Sequence, residues 1–431
     1  MPAFRSRITA MMTLCWLLHP FLGCRAFTQP GAPSGRAPLR TIEVTCVADQ
    51  AHGYATFQSH NQKVVANRWG IFMTHIRSRN EPYTAQAWRL SRSTDGGRTF
   101  ATVHESTDAT NPPVIESGPD GDIYLMRVDF VGGDAFLYRF LASNDFREPL
   151  ITTIPHGAAG KYAMFLDPKR NRIFYFAHNN TFHVVGLDGR VISSCDLLAP
   201  GPNAALQYPL LDVDRDGNLH AAWTTLKHGV YLYWDIHHML SPDGGATWRN
   251  MDGTPVAVPA VADDTGPALR ITPDDEFGVH TWLSSFIVKD GKAHFFYMAQ
   301  TRPPREHYVR YDVKAGRREI DRQPEFRGET LSIRGLDGFF AARTDREGSP
   351  LYCLGRDPQG RVVCLVSPDN GDTWHDYART NATYNVYSLG GCRTVTDDGY
   401  IIGSFTDQAG SMATNERRSK VYFLKVPAAG L

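Results

Sequence analysis

Between Tyr208 and Trp248, apolar and polar positions alternate in short runs that break at polar turns. Leu210 to Asp214 alternates as a strand does, and Asp214-Arg215-Asp216-Gly217-Asn218 is a tight turn with glycine where a positive φ is needed. Leu219 to Thr224 predicts a second strand and Tyr231 to Leu240 a third. Ser241-Pro242-Asp243-Gly244-Gly245-Ala246-Thr247-Trp248 closes the unit. Its aspartate can fold back on its own backbone amides, and the indole covers the turn as a fourth strand begins. Four short antiparallel strands joined in this way make one propeller blade.

The same pattern recurs along the chain. Its first turns are marked by Gly70, Gly121, Asn171, Gly217, Gly291, Gly348 and Gly399, spaced 46 to 57 residues apart except for one interval of 74. Seven such turns at this period predict an all-β, seven-bladed β-propeller of four-stranded antiparallel blades over residues 41–431. The long interval marks an insertion at about 250–277, expected as a loop on one face. After the seventh turn only Tyr400 to Phe405 and Lys420 to Val426 remain as strands, so one outer strand is missing. Thr41 to Ala48 is the spare strand, and pairing it there closes the ring and removes open sheet edges.

Ahead of that strand, Arg5 and Arg7 precede an apolar run from Ile8 to Cys24, which predicts a signal peptide over residues 1–26 cleaved after Ala26. Phe21-Leu22-Gly23-Cys24 keeps open a lipid anchor at Cys24, and the run, broken by His19 and Pro20, is short for a membrane span. Residues 27–40, rich in Pro, Gly and Arg, predict a flexible leader. The expected location is periplasmic or extracellular.

Hydrophobic residues make up 42% of the chain, enough for a large β core, and 45 basic residues balance 45 acidic ones. That balance argues against bulk electrostatic binding to nucleic acid and leaves room for a local cationic pocket. Cys15 and Cys24 fall in the expected signal peptide. Cys46, Cys195, Cys353, Cys364 and Cys392 show no metal-ligand spacing, and the chain has no P-loop, no GxGxxG after a strand and no HExxH. With Pro358-Gln359 as a two-residue loop, Cys353 and Cys364 are expected directly opposite one another, a disulfide between them being left open. Asp212, Asp214 and Asp216 read as turn hydrogen-bonders ahead of a calcium site. His237 and His238 point to opposite faces of one strand and cannot share a metal. No metal and no cofactor are expected.

Ser93 to Phe100, Ser241 to Trp248 and Ser367 to Trp374 share the S-x-D-x-G pattern, and Ser143-Asn144-Asp145 looks like a decayed copy. These resemble the Asp-boxes of the sialidase superfamily, the BNR-repeat proteins. More narrowly, Tyr208-Pro209, Asp216 to Trp223, Asp235-Ile236 and the box running into Arg249 to Gly253 resemble a BNR-repeat group that includes ulvan-type polysaccharide lyases. That group often has Asn-His before the Asp-Ile pair, where this chain has Tyr233-Trp234. The resemblance implies a secreted, carbohydrate-active propeller, first of all one that cleaves an acidic, uronate-containing polysaccharide by elimination. A sialidase-type exo-glycosidase is the alternative, with Arg343 and Arg393 as candidate carboxylate clamps and Tyr387 as nucleophile. Sialidases, however, have six blades and an early Arg-Ile-Pro motif that this chain lacks. A non-catalytic glycan-binding propeller is the third reading.

In a propeller, ligands usually bind where the inner strands begin. Those places here are polar and aromatic: Ser59 to Lys63, Lys161-Tyr162, Gln207-Tyr208, His280 to Trp282 and Tyr384 to Tyr387. A uronate lyase needs a cation to neutralise the carboxylate, a base for the adjacent proton and an acid for the leaving oxygen. The candidate catalytic residues are therefore Tyr208, Tyr387, His280 and His60. The candidate substrate-binding residues are Asn61, Lys161, Tyr162, Trp282, Arg343 and Arg393, in a monomer with no membrane span whose partner is an acidic polysaccharide or glycan.

Overall fold

The computed structural model describes residues 38–78, 86–107, 111–128, 133–157, 160–276, 278–333, 337–409 and 418–429. The expected signal peptide, most of the leader and Cys24 lie outside the described residues.

Seven antiparallel blades follow one another around a central axis, as the periodicity predicts. Their inner strands are Val64–Asn67, Val114–Ser117, Tyr162–Asp167, Ala204–Val213, Thr281–Lys289, Phe339–Ala342 and Val386–Gly391. All begin at one end of the axis, called the upper mouth here, and finish at the lower mouth, where tight turns lead into the second strands. Apolar side chains from both faces of each blade fill the spaces between neighbours, which is why buried strands such as Tyr233–Ser241 lack polar alternation. Ring closure comes from Glu43–Ala51, which pairs antiparallel with Ser419–Pro427 as the outer strand of blade 7. Just before it, Arg40–Thr41 runs parallel to the outer strand of blade 6, so the N-terminal segment straps two blades together.

In the three S-x-D-x-G turns the aspartate spends its oxygens locally. Asp369 accepts from the amide and the hydroxyl of Thr373, and the Ser367 hydroxyl accepts from the Gly371 amide. Gly371 sits at φ +93°, and a Cβ there would lie 1.7 Å from the Tyr308 hydroxyl of blade 5. Gly97 and Gly245 meet Phe423 and Phe182 of the preceding blades in the same way. The turn thus staples neighbouring blades, which explains its second glycine.

The insertion differs from the expected loop on one face. It folds back on the outer edge of blade 4: Pro255–Val256 pairs with Trp248–Arg249, and Leu269–Arg270 pairs with the third strand at His238 and His237. Buried Asp263 accepts the amides of Asn203 and Ala204, and Trp223 donates to the Ala262 carbonyl. Of the alternating acids, Asp214 bonds Asn218 within its turn as expected, whereas Asp212 reaches across to the amide of Val288 in blade 5.

The cysteine register is corrected. Cys353 opposes Leu365 and Cys364 opposes Leu354. The loop is Asp357 to Arg361, closed by Asp357 accepting the Arg361 amide, and longer than two residues. Because side chains alternate with period two, a slip of one residue sends the two thiols to opposite faces. Cys353 packs toward blade 5 and Cys364 toward blade 7, and both are free.

Candidate functional site

The upper mouth gathers most of the residues expected there. Tyr208 follows a bulge in the inner strand of blade 4 and is 2% exposed. Its ring lies edge-on to His60 at 5.3 Å and to Tyr233 at 5.3 Å, with the Lys161 ammonium 5.8 Å from its centroid. Its hydroxyl is 3.2 Å from that of Tyr233, which is 2.6 Å from that of Tyr231. Burial pushes the Tyr208 phenol well above its usual range, against the opposing pull of the Tyr233 hydrogen bond. Tyr208 therefore stays a proton donor at neutral pH.

His60 rides on a tight loop, Phe57 to Lys63, in which Gln58 adopts a positive φ. Both His60 ring nitrogens are closed off from solvent and have no hydrogen-bond partner among the described residues. Burial, helped by nearby Lys63, pulls its pKa down to about 3, so the ring is neutral with a free lone pair. Buried Lys63, pulled down to about 7 by desolvation, holds the loop by donating to the carbonyls of Gln58 and Asn61. Lys161 is half-buried, its pKa is lowered by burial, and it has no ion pair among the described residues.

Across the mouth, His280 stacks on Trp282 at 5.0 Å and accepts the Tyr233 amide through Nδ1. With Tyr231 and Tyr233 these rings form an aromatic wall, and Tyr231 is 70% exposed. Tyr387 stacks on Phe57 at 6.4 Å, and its phenol is raised by burial and then by Asp337. Next to it Ser388 holds a positive φ. Sequence reasoning missed Tyr231, on the loop between the second and third strands, and Tyr233, which opens the third strand. Their signal was Tyr231-Leu232-Tyr233, two tyrosines one residue apart at a strand start.

Four expected residues do not contribute side chains to this mouth. Tyr162 points into the core between blades 2 and 3 and donates to the Met126 carbonyl, so its ring serves packing. Asn61 spends its amide on the Gln58 side chain and the Tyr162 carbonyl, tying the loop to blade 3. Arg343 lies at the lower mouth, paired with Asp345 at 2.9 Å. Arg393 also faces the lower cavity: it pairs with Glu116 at 2.7 Å, lies over Phe165 at 4.3 Å, and is thereby spent. It lines the narrow waist as well, together with His60.

The lower mouth opens into a cavity of about 660 Å³. Glu116, Gln62, Asp212 and Arg393 form its floor. Both floor carboxylates already have a partner in the protein: Glu116 binds Arg393 and Gln62, and Asp212 binds the Val288 amide. The upper mouth holds the unspent groups, His60 and Lys161, and for that reason it is the better candidate.

The outer approach to this mouth depends on one histidine. His307 lies between Glu276 and Asp321, 2.7 Å from each, and stacks on Tyr297. Burial opposes its charge, but the hydrogen bonds to Asp321 and Glu276 outweigh it and lift its pKa from 6.5 to about 9. The clamp ties the end of the insertion, just before His280, to blade 5. A raised histidine stabilises fully below pH 6.5 and loses that stabilisation as pH rises through about 9. The shift corresponds to about 3 kcal/mol. Urea titrations from pH 6 to 10 should show this alkaline decline in the wild type and a flattened one in His307→Gln; equal slopes would rule out the clamp.

No family model matches the chain, and no curated protein matches it. Among solved structures, an ulvan lyase of polysaccharide lyase family PL25, bound to -[GlcA(1-4)Rha3S]-, superposes with TM-score 0.60 at 11% identity. The match covers 87% of this chain and 94% of that one. The polysaccharide lyase Uly1 gives TM-score 0.60 at 12% identity over 90% of this chain and all of that one. At such identities the likeness establishes the propeller fold. No helix among the described residues is long and apolar enough to cross a membrane.

Proposed function

We propose that this protein is a carbohydrate-active propeller that takes an acidic, uronate-containing polysaccharide across its upper mouth and cleaves it by β-elimination. The observation that carries this reading is the Lys161 ammonium, without an ion pair among the described residues, 5.8 Å from the ring of a protonated Tyr208. Lys161 would neutralise the uronate carboxylate and so acidify the adjacent C–H. His60, neutral and with nitrogens that no described group engages, would take that proton once its ring turns out of the waist toward the mouth. The incoming carboxylate raises its basicity, since an opposite charge favours the imidazolium. Tyr208 would protonate the departing oxygen. Tyr231, Tyr233, His280 and Trp282 offer faces on which sugar rings stack. Two lyases of the same fold, one bound to a GlcA-containing saccharide, support the substrate class. The apolar run after Arg5 and Arg7 supports export.

A sialidase-type reaction is less well supported. Both arginines that could clamp a carboxylate lie at the lower mouth, paired with Asp345 and Glu116. Incubation with a panel of uronate-containing polysaccharides separates the readings. Rising ultraviolet absorbance from an unsaturated uronate supports elimination. New reducing ends without it indicate hydrolysis, and retained binding with neither indicates a glycan-binding propeller.

A further inference from the structure

The geometry points to Tyr233 and Tyr231 as a proton relay that restores the Tyr208 hydroxyl from solvent, an inference that rests on the elimination reading above. The three hydroxyls form an unbroken line, 3.2 Å from Tyr208 to Tyr233 and 2.6 Å from Tyr233 to Tyr231. The line runs from a residue 2% exposed, through one 5% exposed, to one 70% exposed. Burial raises the phenols of Tyr208 and Tyr233 well above their usual range, so both hold their protons and each can pass one on as it receives another. A chain of hydroxyls in a low-dielectric wall polarises cooperatively, which favours concerted transfer.

The reaction needs such a route. As the double bond forms, the C–H electrons move into it, the C–O bond breaks, and its electrons go to the leaving oxygen. His60 holds the abstracted proton, and Tyr208 has given its own to the leaving oxygen. Tyr208 is then a phenolate beneath a bound polymer, where burial makes that charge costly. A proton from Tyr233 returns it to the phenol, Tyr231 replaces the Tyr233 proton, and water replaces that of Tyr231. His60 releases its proton to the water that follows the departing product. Protons in and out balance, and no co-reactant is consumed. Tyr233 and Tyr231 act through Tyr208 and are positioning residues.

Hydroxyl exchange tests the relay without turnover. With tyrosine labelled by carbon-13 at the ring carbon bearing oxygen, a water–deuterium oxide mixture reports exchange at Tyr208. Tyr233→Phe should slow that exchange about tenfold or more, and Tyr231→Phe, at an exposed position that tolerates change, should slow it less. Buried Tyr175, whose hydroxyl bonds the Gly157 carbonyl, is the internal control and should not change. On a cleaved substrate, both variants should lower kcat more than they change KM and should alter the solvent isotope effect. Unchanged Tyr208 exchange in both variants overturns the relay. Failure of the wild type to cleave any uronate polymer overturns the elimination reading, and the exchange rates still decide the relay.

Discussion

Tyr208→Phe should cut turnover on a cleaved uronate polysaccharide by about a hundredfold to ten-thousandfold, the range for losing a positioned general acid. The ring stays, and with it the edge contacts to His60 and Tyr233 and the seat under Lys161. Only the hydroxyl goes, and its partner Tyr233 keeps its bond to Tyr231. The stability cost should therefore remain within about 1.5 kcal/mol. Glycan affinity should hold, because stacking and the Lys161 charge are untouched. Initial rates and equilibrium binding on the same polysaccharide check both halves. A variant with full turnover removes Tyr208 from the chemistry. One that also loses binding makes its hydroxyl a substrate contact.

Arg393→Ala should give the largest loss of stability, about 3–5 kcal/mol, because it leaves buried carboxylates without their cation. Glu116 and Asp212 both sit on the floor of the lower cavity beside Arg393. Burial, opposed by Arg393, leaves the Glu116 carboxyl raised and the Asp212 carboxyl at about 6. A carboxyl raised in the folded state stabilises below its unfolded value and loses that contribution as pH rises through the folded one. The deficit of Arg393→Ala should thus be small in acid and grow as pH rises through about 6. Arg343→Ala, which breaks a pair with largely exposed Asp345, should cost less than about 1 kcal/mol. Denaturant titrations of the two variants at two pH values make the comparison. Equal, small losses would show that Arg393 is not a buried structural cation, and its candidacy as a carboxylate clamp would return.

The chain by itself determined the propeller. Turn glycines at a near-constant spacing, S-x-D-x-G turns in register and a spare N-terminal strand are local signals, and each blade is built from contacts close in sequence. Closure by Glu43–Ala51 followed from counting strands. It also placed His60, Lys161, Tyr208, His280, Trp282 and Tyr387 at inner-strand starts, since one direction of travel along the axis puts all such starts at one end.

What lay across blades was decided only by the tertiary structure. Arg393 follows the inner strand of blade 7, so it emerges at the lower mouth, where Glu116 of blade 2 takes its charge. Tyr162 begins an inner strand too, but the pleat turns its ring into the core. Tyr231 comes from the loop before the third strand and Tyr233 opens that strand, and only the folded blade 4 brings them to Tyr208. The Cys353 and Cys364 pairing turned on a loop of Asp357 to Arg361, held by backbone and side-chain hydrogen bonds between its end residues. A single residue of register moved the two thiols to opposite faces, and side-chain alternation alone could not reveal that loop's length.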